Sequence, residues 1–169
     1  MRLLAPAEAL AHLQPLQSQH RLARLDHLYL TYDASGRTLS VTAPDGASTS
    51  TYSYAGNSTT ATDPAGKWKT QTKDAFGNLT LVTEPNPAGG ANLTTTYTYS
   101  PVNQLLTVSM PRNGVTQTRT FTYNGQDMVS STNPENGTVT YTYDASHRVL
   151  TRTDAKNQQT QYTYNTLGS

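Results

Sequence analysis

Self-similarity at a spacing of about 20 residues constrains this sequence more than any other feature. One part of the repeat is a Tyr-x-Tyr segment, in which aromatic residues occupy alternate positions with Ser or Thr between them. Alternate residues of a β-strand share a face, so the pattern predicts strands with one aromatic face and one hydroxyl-bearing face. These segments are residues 52–54, 97–99, 121–123, 141–143 and 162–164.

A polar turn follows most aromatic segments and carries Asp at its first position and Gly at its fourth, as in residues 32–37 and 73–78. Asp can accept a hydrogen bond from the N–H two residues later, and Gly supplies the positive φ that a bulge after a type I turn requires. In residues 143–148, His147 stands at the Gly position, where imidazole tolerates left-handed φ better than most side chains do. An aliphatic strand follows each turn, such as Leu39 with Val41.

A second type of turn, rich in Pro and Gly, closes each unit. Because Pro cannot lie inside a central strand, these turns predict strand boundaries. Each unit is then one β-hairpin, and twist accumulated over a dozen or so strands is expected to produce a curved, spiralling antiparallel sheet. The closing turns are residues 44–46, 63–66, 85–90, 111–114 and 133–137.

The first part of the chain has a different pattern. Leucines at helical spacing, interrupted by Pro15, predict a short α-helical segment over residues 1–28. The predicted organisation is therefore this helical segment followed by a β-repeat array over residues 29–169, with about six units, the last incomplete. The final residues, 165–168, lie in the middle of a unit, so we expect a fragment, an orphan reading frame or a deliberately shortened chain.

Composition excludes several kinds of partner. The formal net charge is +1, and no Lys/Arg cluster could follow a phosphate backbone, so nucleic acid is not expected as a partner. No apolar run is long enough to cross a bilayer, which argues against membrane insertion. Pro6 and Glu8 interrupt the start that a cleaved Sec signal would need. The absence of cysteine excludes disulfides and thiolate metal sites.

Candidate catalytic and metal-binding residues are few. A histidine metal site would require His12, His20, His27 or His147 to converge with a carboxylate, and a polar surface role is the simpler interpretation. The sequence has no nucleophile elbow, P-loop or dinucleotide fingerprint, so we predict no enzyme activity and no cofactor or metal. Aspartates recur at turn positions, as backbone capping predicts and an active site does not: Asp33, Asp45, Asp63, Asp74, Asp144 and Asp154.

Trp68, the only tryptophan, interrupts the Tyr-x-Tyr pattern. Two interpretations are open for it, packing against a neighbouring unit or contact with a sugar or a partner, and packing is favoured.

The order of these signatures resembles the YD repeat of Rhs proteins, insecticidal Tc toxin C components and teneurins. Residues 32–39, 76–79 and 141–144 carry the resemblance best, and it covers about residues 29–169. It implies a β-sheet strip that winds into a hollow shell, which in bacterial members encloses a C-terminal toxin domain. The family's autoproteolytic segment and toxin domain have no counterpart in this sequence. The repeat positions that we expect to be structural are Tyr32, Asp33, Gly36, Tyr54, Pro64, Gly66, Asp74, Gly77, Tyr99, Tyr123, Tyr143, Asp144 and Tyr164.

Two functions fit the resemblance. The first is a structural segment of a shell that encapsulates a toxin domain in Rhs or Tc-type polymorphic toxins. The alternative is a cell-surface binding module that recognises carbohydrate or a protein receptor through the polar sheet face. Expected partners are further repeats, or a second copy through exposed strand edges. The expected location is outside a bacterial cell or on its surface, after cytoplasmic synthesis.

Overall fold

The computed structural model describes residues 27–165, which form β-strands joined by turns and contain no helix. The thirteen strands belong to one sheet, in which they follow chain order, and the paired strands are antiparallel. The predicted all-β antiparallel fold is therefore confirmed, and the curvature of the sheet stays a prediction. The strands are β1 (Tyr29–Tyr32), β2 (Thr38–Thr42), β3 (Thr49–Ala55), β4 (Ser58–Thr62), β5 (Trp68–Lys73), β6 (Leu79–Glu84), β7 (Leu93–Tyr99), β8 (Leu105–Arg112), β9 (Val115–Asn124), β10 (Asp127–Asn133), β11 (Gly137–Tyr143), β12 (Val149–Thr153) and β13 (Gln159–Gln161).

Backbone contacts group the described chain into two units. The first contains residues 27–53 and 60–68, and the second contains residues 54–59 and 69–165. The second unit holds all strands from β6 to β13 and most of the repeat contacts described below.

The second unit has an aromatic face with a thin core. Strand pairing places Val82 beside Thr95 and Ser131 beside Val139, and these four residues are the buried ones among residues 27–165. No described side chain is fully buried. A single sheet layer covers its apolar groups only with neighbouring side chains, so cross-strand pairs must supply most of the packing energy.

The opposite face of the second unit carries hydroxyl groups, and we call it the hydroxyl face. Hydroxyls on neighbouring strands bond to each other, as in Thr98 with Thr107 at 2.7 Å and Thr122 with Ser130 at 2.8 Å. The alternation of Tyr and Thr in the sequence therefore becomes a separation between two faces, as the period of a strand requires.

One predicted strand boundary is wrong. Pro111 lies inside β8, opposite Thr116 of β9, and the turn is only Asn113 and Gly114. Proline is tolerated there because the ladder with β7 ends at Ser109, so its missing N–H breaks no strand pairing. If the ladder with β7 continued, residue 111 would face the carbonyl of Thr94. The Arg112 side chain donates to that carbonyl at 2.7 Å and takes the place of the missing N–H.

One further prediction is wrong, at the C-terminal end of the repeat array. The predicted aromatic strand 162–164 is not a strand, because the ladder of β13 with β12 ends after Gln161, apart from one bond from Tyr162 N to Leu150 O at 2.9 Å. The predicted helical segment lies outside the described residues up to position 26, while His27 and Leu28 lead into β1 without helical structure. Residues 27–165 include no helix that could span a membrane.

Candidate functional site

The first recurrent site is the Asp-x-x-Gly turn, in which the carboxylate binds the backbone of its own turn. In the turn of Asp74, Oδ1 accepts hydrogen bonds from the N–H groups of Phe76 and Asn78, both at 2.9 Å. Gly77 has a φ of +89°, a conformation that costs little without a Cβ. Each carboxylate is therefore occupied in shaping its turn. The same capping pattern recurs at Asp33, Asp63, Asp144 and Asp154, and at Ser100, where a hydroxyl replaces the carboxylate.

The residue after the glycine position completes the turn. Arg148 Nε donates to Asp144 Oδ2 at 2.7 Å, and Asn78 Nδ2 donates to Asp74 Oδ2 at 3.0 Å. This contact gives a physical reason for Arg or Asn at that place of the repeat. Hydrogen bonds to the charged form lower the pKa of a carboxyl group. The backbone N–H of Arg148, followed by its side chain, lowers the pKa of Asp144, and the Asn78 side chain lowers the pKa of Asp74 most strongly.

The second recurrent site is a tyrosine hydroxyl that donates to the backbone of the preceding strand. Tyr99 donates to Leu79 O at 3.0 Å, and Tyr143 donates to Met128 O at 2.8 Å. Tyr164 makes the same contact with Val149 O at 2.8 Å, and its ring lies 4.6 Å from the Arg148 guanidinium carbon. Desolvation raises the pKa of the Tyr99 and Tyr143 hydroxyls, so they remain protonated donors at neutral pH. In the segments 97–99, 141–143 and 162–164, the second tyrosine therefore joins one hairpin to the previous one.

We expect Tyr143→Phe to lower the free energy of unfolding by about 1 kcal/mol, because Met128 O loses a part-buried donor. Tyr141→Phe is the matched control, since among residues 27–165 no hydrogen bond from its hydroxyl is seen, and it should change stability by less than about 0.5 kcal/mol. Urea titration followed by circular dichroism measures both variants. Equal losses would show that the hydroxyl bond contributes nothing.

The third site is a row of linked turns in the second unit. Alternate turns of a meander lie at the same end of the strands, and here neighbouring turns at that end are joined by side chains. We call the turns at residues 55–58, 73–78, 100–104, 124–127 and 144–148 the turn row. Its links are Asn57 Nδ2 to Lys73 O, Asn78 Nδ2 to Asn103 Oδ1 at 2.9 Å, Gln104 Nε2 to Gly125 O at 2.6 Å, and His147 Nδ1 to Asp127 Oδ2 at 2.9 Å.

His147 takes its place in this row through an unusual backbone. Its φ is +62°, in the positive region that Gly36, Gly66 and Gly77 occupy in other turns. The imidazole is half exposed and contacts Asp127 of the preceding hairpin. No group of three or more metal-binding side chains occurs among residues 27–165, and His12 and His20 lie outside that range.

Two open hollows lie beside the turn row. One, of about 480 Å³, is lined by Asn124, Asp127, Tyr141, Tyr143 and His147. The other, of about 380 Å³, is lined by Asp74, Phe76, Asn78, Tyr97 and Asn103. Both consist of a tyrosine pair below two linked turns, so the hollows are products of the repeat.

The thirteen repeat positions named from the sequence fall into these sites and into the strands. The structure brings the turn aspartates and the strand tyrosines together only within neighbouring hairpins, and it does not gather them at one place.

Trp68 begins β5 and is half-buried. Sequence reasoning missed the tyrosine-to-carbonyl bonds and the turn links, although the recurrence of Arg or Asn after the glycine position was a visible signal for the turn contact. Tyr32, Tyr54 and Tyr123 lie in β1, β3 and β9, and Pro64 lies in the turn capped by Asp63.

Comparison with known proteins identifies the repeat. A family model described as RHS Repeat matches residues 32–67 and 123–158. These two segments of the chain belong to the RHS-repeat family. Each matched segment begins at a strand tyrosine and contains two turns in which an Asp carboxylate accepts from the N–H groups two and four residues later, at Asp33 and Asp63 in one and at Asp144 and Asp154 in the other. Between the matches, the turns of Asp74 and Ser100 have the same RHS-type capping geometry.

A search of curated proteins gives no match to the sequence. Among solved structures, the RHS chain is similar to the crystal structure of a porin-like protein from Bacteroides uniformis ATCC 8492. The two are 18% identical, with a TM-score of 0.45, and the match covers 82% of this chain and 76% of that chain.

Proposed function

We propose that this chain is a wall segment of an RHS shell that encloses a toxin domain in a polymorphic toxin, and that it is not an enzyme. The observation that carries the proposal is the turn row, in which each hairpin is bonded to the next by side chains as well as by the strand ladder. The turn carboxylates and the strand-end tyrosines are engaged in bonds to the chain itself. Such an arrangement stabilises a sheet and supplies no convergent catalytic group.

The proposed setting is outside a bacterial cell or at its surface, with cytoplasmic synthesis first. Further RHS repeats are the proposed neighbours of the wall, and the enclosed toxin domain is a separate region of polypeptide. Thirteen strands form too little wall to surround a folded domain, so the function requires additional repeats.

The test begins with the genomic sequence on both sides of the coding region. We expect it to encode further Asp-x-x-Gly repeats, a domain that is toxic when expressed alone, and an immunity protein nearby. That toxic domain should resist protease when expressed with the complete repeat region and become sensitive when this segment is deleted. A deletion that leaves protease resistance unchanged would contradict the wall function.

A second candidate is binding of carbohydrate or a protein receptor through the hydroxyl face. The observation in its favour is that Thr96, Thr120 and Thr140 are exposed on this face of the second unit. Hydroxyls at several other positions are already bonded to each other across strands, which reduces their capacity for a ligand. Glycan arrays and receptor pull-downs measure this activity. Specific, saturable binding that Thr120→Lys abolishes would favour the binding module over the wall.

A further inference from the structure

One of the two hollows beside the turn row contains polar groups that make no bond to the chain. We call it the aspartate hollow. It has a volume of about 480 Å³ and is lined by residues of the turns at 124–127 and 144–148 and by the end of β11. Small-ligand sites are commonly of this size. Among residues 27–165, no hydrogen bond is seen for the Asn124 side chain or the Tyr141 hydroxyl, both of which belong to residues that line the hollow.

The tyrosine bonds show which residues hold the same place in neighbouring hairpins. Arg148 directly precedes the carbonyl group that accepts from Tyr164. Asp127 directly precedes the carbonyl group that accepts from Tyr143. An arginine in one hairpin and an aspartate in the other therefore occupy equivalent positions.

The Arg148 guanidinium shows what can lie beside this place in the repeat. Its carbon lies 4.6 Å from the centre of the Tyr164 ring, and its Nε donates to Asp144 Oδ2 at 2.7 Å. A guanidinium over an aromatic face is attracted by the ring, and a carboxylate holds it by charge-assisted hydrogen bonds. The chain thus forms one guanidinium site from its own residues, between a turn carboxylate and the next tyrosine.

The aspartate hollow has the carboxylate and the rings of such a site but no cation. Asp127 supplies the carboxylate, and Tyr141 and Tyr143 supply the rings. Among residues 27–165, no cation lies over either ring. Desolvation, followed by the negative charge of Asp127, raises the pKa of the Tyr143 hydroxyl, so the field of this carboxylate reaches the tyrosine.

The charges around the hollow leave Asp127 without a Lys or Arg partner in the described part of the chain. Its one ion-pair contact is with His147, whose imidazole is charged only when protonated. Asp144 also lines the hollow, but Arg148 binds that carboxylate. Arg152 lies opposite Tyr141 on β12 and is not among the residues that line the hollow. The hollow is therefore a negative site that attracts a cation.

The second hollow of the turn row lacks this property. Asn78 holds the equivalent place there, directly before the carbonyl group that accepts from Tyr99. Its amide is bonded to both Asp74 and Asn103, and the Asp74 carboxylate also caps its own turn. This hollow has the shape of the repeat without an available carboxylate, so it serves as an internal control.

We propose that the aspartate hollow binds an arginine side chain of a partner polypeptide, with the guanidinium between the Asp127 carboxylate and the rings of Tyr141 and Tyr143. Arginine fits better than lysine because a planar guanidinium can stack on a ring while it donates to a carboxylate. The Asn124 side chain and the Tyr141 hydroxyl can accept the remaining N–H groups. This inference goes beyond the wall function and does not require it.

A titration followed by nuclear magnetic resonance tests the site in the complete chain. The probe is N-acetyl-arginine amide, which resembles an arginine inside a polypeptide, and the control is N-acetyl-citrulline amide, which has the same shape without the charge. We expect arginine amide to shift the backbone signals of Asp127, Tyr143 and His147 saturably, with millimolar affinity, and citrulline amide to leave them unchanged. Equal shifts with both probes, or no shifts at these residues, would overturn the proposal.

Two pairs of variants locate the binding. Asp127→Asn keeps the shape of the side chain and removes its charge, so the dissociation constant for arginine amide should rise by about tenfold. Glu135→Gln removes a carboxylate outside the hollow and should leave the dissociation constant unchanged. Tyr141→Leu should raise it by about threefold through loss of a ring, whereas Tyr97→Leu in the second hollow should not. Circular dichroism checks that each variant is folded.

The outcome for Asp127 decides the proposal. If Asp127→Asn binds arginine amide as tightly as Glu135→Gln does, the aspartate hollow is not the site. The titration uses the isolated chain and does not depend on a toxin domain, while protease protection tests the wall function without reference to this hollow. The two proposals therefore fail separately.

Discussion

Gly137→Ala is expected to lower the free energy of unfolding by about 2 to 4 kcal/mol, through two effects that add at one position. Gly137 begins β11 with a φ of +73°, where an L-residue is strained. A Cβ at this position would also lie 2.7 Å from the Cβ of Ala155, in the neighbouring turn. Contacts this short require the backbone of one turn to move, because neither side chain has a flexible end. Urea titration of the variant measures the loss.

Gly77→Ala separates the two effects. Gly77 has a φ of +89°, but an added Cβ would have no atom within 4 Å, so the expected loss is only the conformational cost of about 1 to 2 kcal/mol. Ala155→Gly in the Gly137→Ala background should restore part of the stability by removing the close contact. Similar losses for Gly137→Ala and Gly77→Ala, without recovery in the double variant, would refute close packing between the turns of Gly137 and Ala155.

Val139→Asp is the substitution for which we expect the largest effect, a loss of about 3 kcal/mol or more. Val139 is 4% exposed, the most buried hydrophobic residue in the described chain, and it lies opposite Ser131, which is also buried. A carboxylate there would lose most of its contact with water. The loss is a large fraction of the free energy of unfolding, because Val82 and Val139 are the only buried hydrophobic residues among residues 27–165.

Val115→Asp is the matched control for this charge. Val115 is 66% exposed at the start of β9, so its substitution should change stability by less than about 0.5 kcal/mol. If Val139→Asp prevents folding, Val139→Ala gives a measurable version, with an expected loss of about 1 to 2 kcal/mol. Thermal and urea unfolding compare the three variants. A Val139 variant as stable as the Val115 variant would show that the thin core does not hold this unit together.

Much of the fold could be predicted because its signals are local. The Tyr-x-Tyr alternation gives the strand period, and the Asp-x-x-Gly order gives the turns, since Asp74 caps backbone N–H groups only two and four residues away. Pro111 was misassigned for a reason of tertiary structure. Its tolerance inside β8 depends on where the ladder with β7 ends and on Arg112, which satisfies the carbonyl of Thr94.

The site contacts were harder to predict because they join different repeats. The Tyr-x-Tyr pattern shows that Tyr143 shares a face with Tyr141, but not that its hydroxyl reaches Met128 O on the preceding strand. The link from Asn78 to Asn103 depends on two turns lying side by side. Such pairs become visible only when the register of the strands is known.

The links of the turn row also have a consequence for how the protein folds. The longest of them, between Asn78 and Asn103, spans 25 residues, and each link joins a hairpin to the one immediately before it. A hairpin that emerges from the ribosome therefore finds its partners already made. Low contact order of this kind favours rapid, sequential folding. The sheet can grow one hairpin at a time from its first-formed end, whatever the final number of repeats.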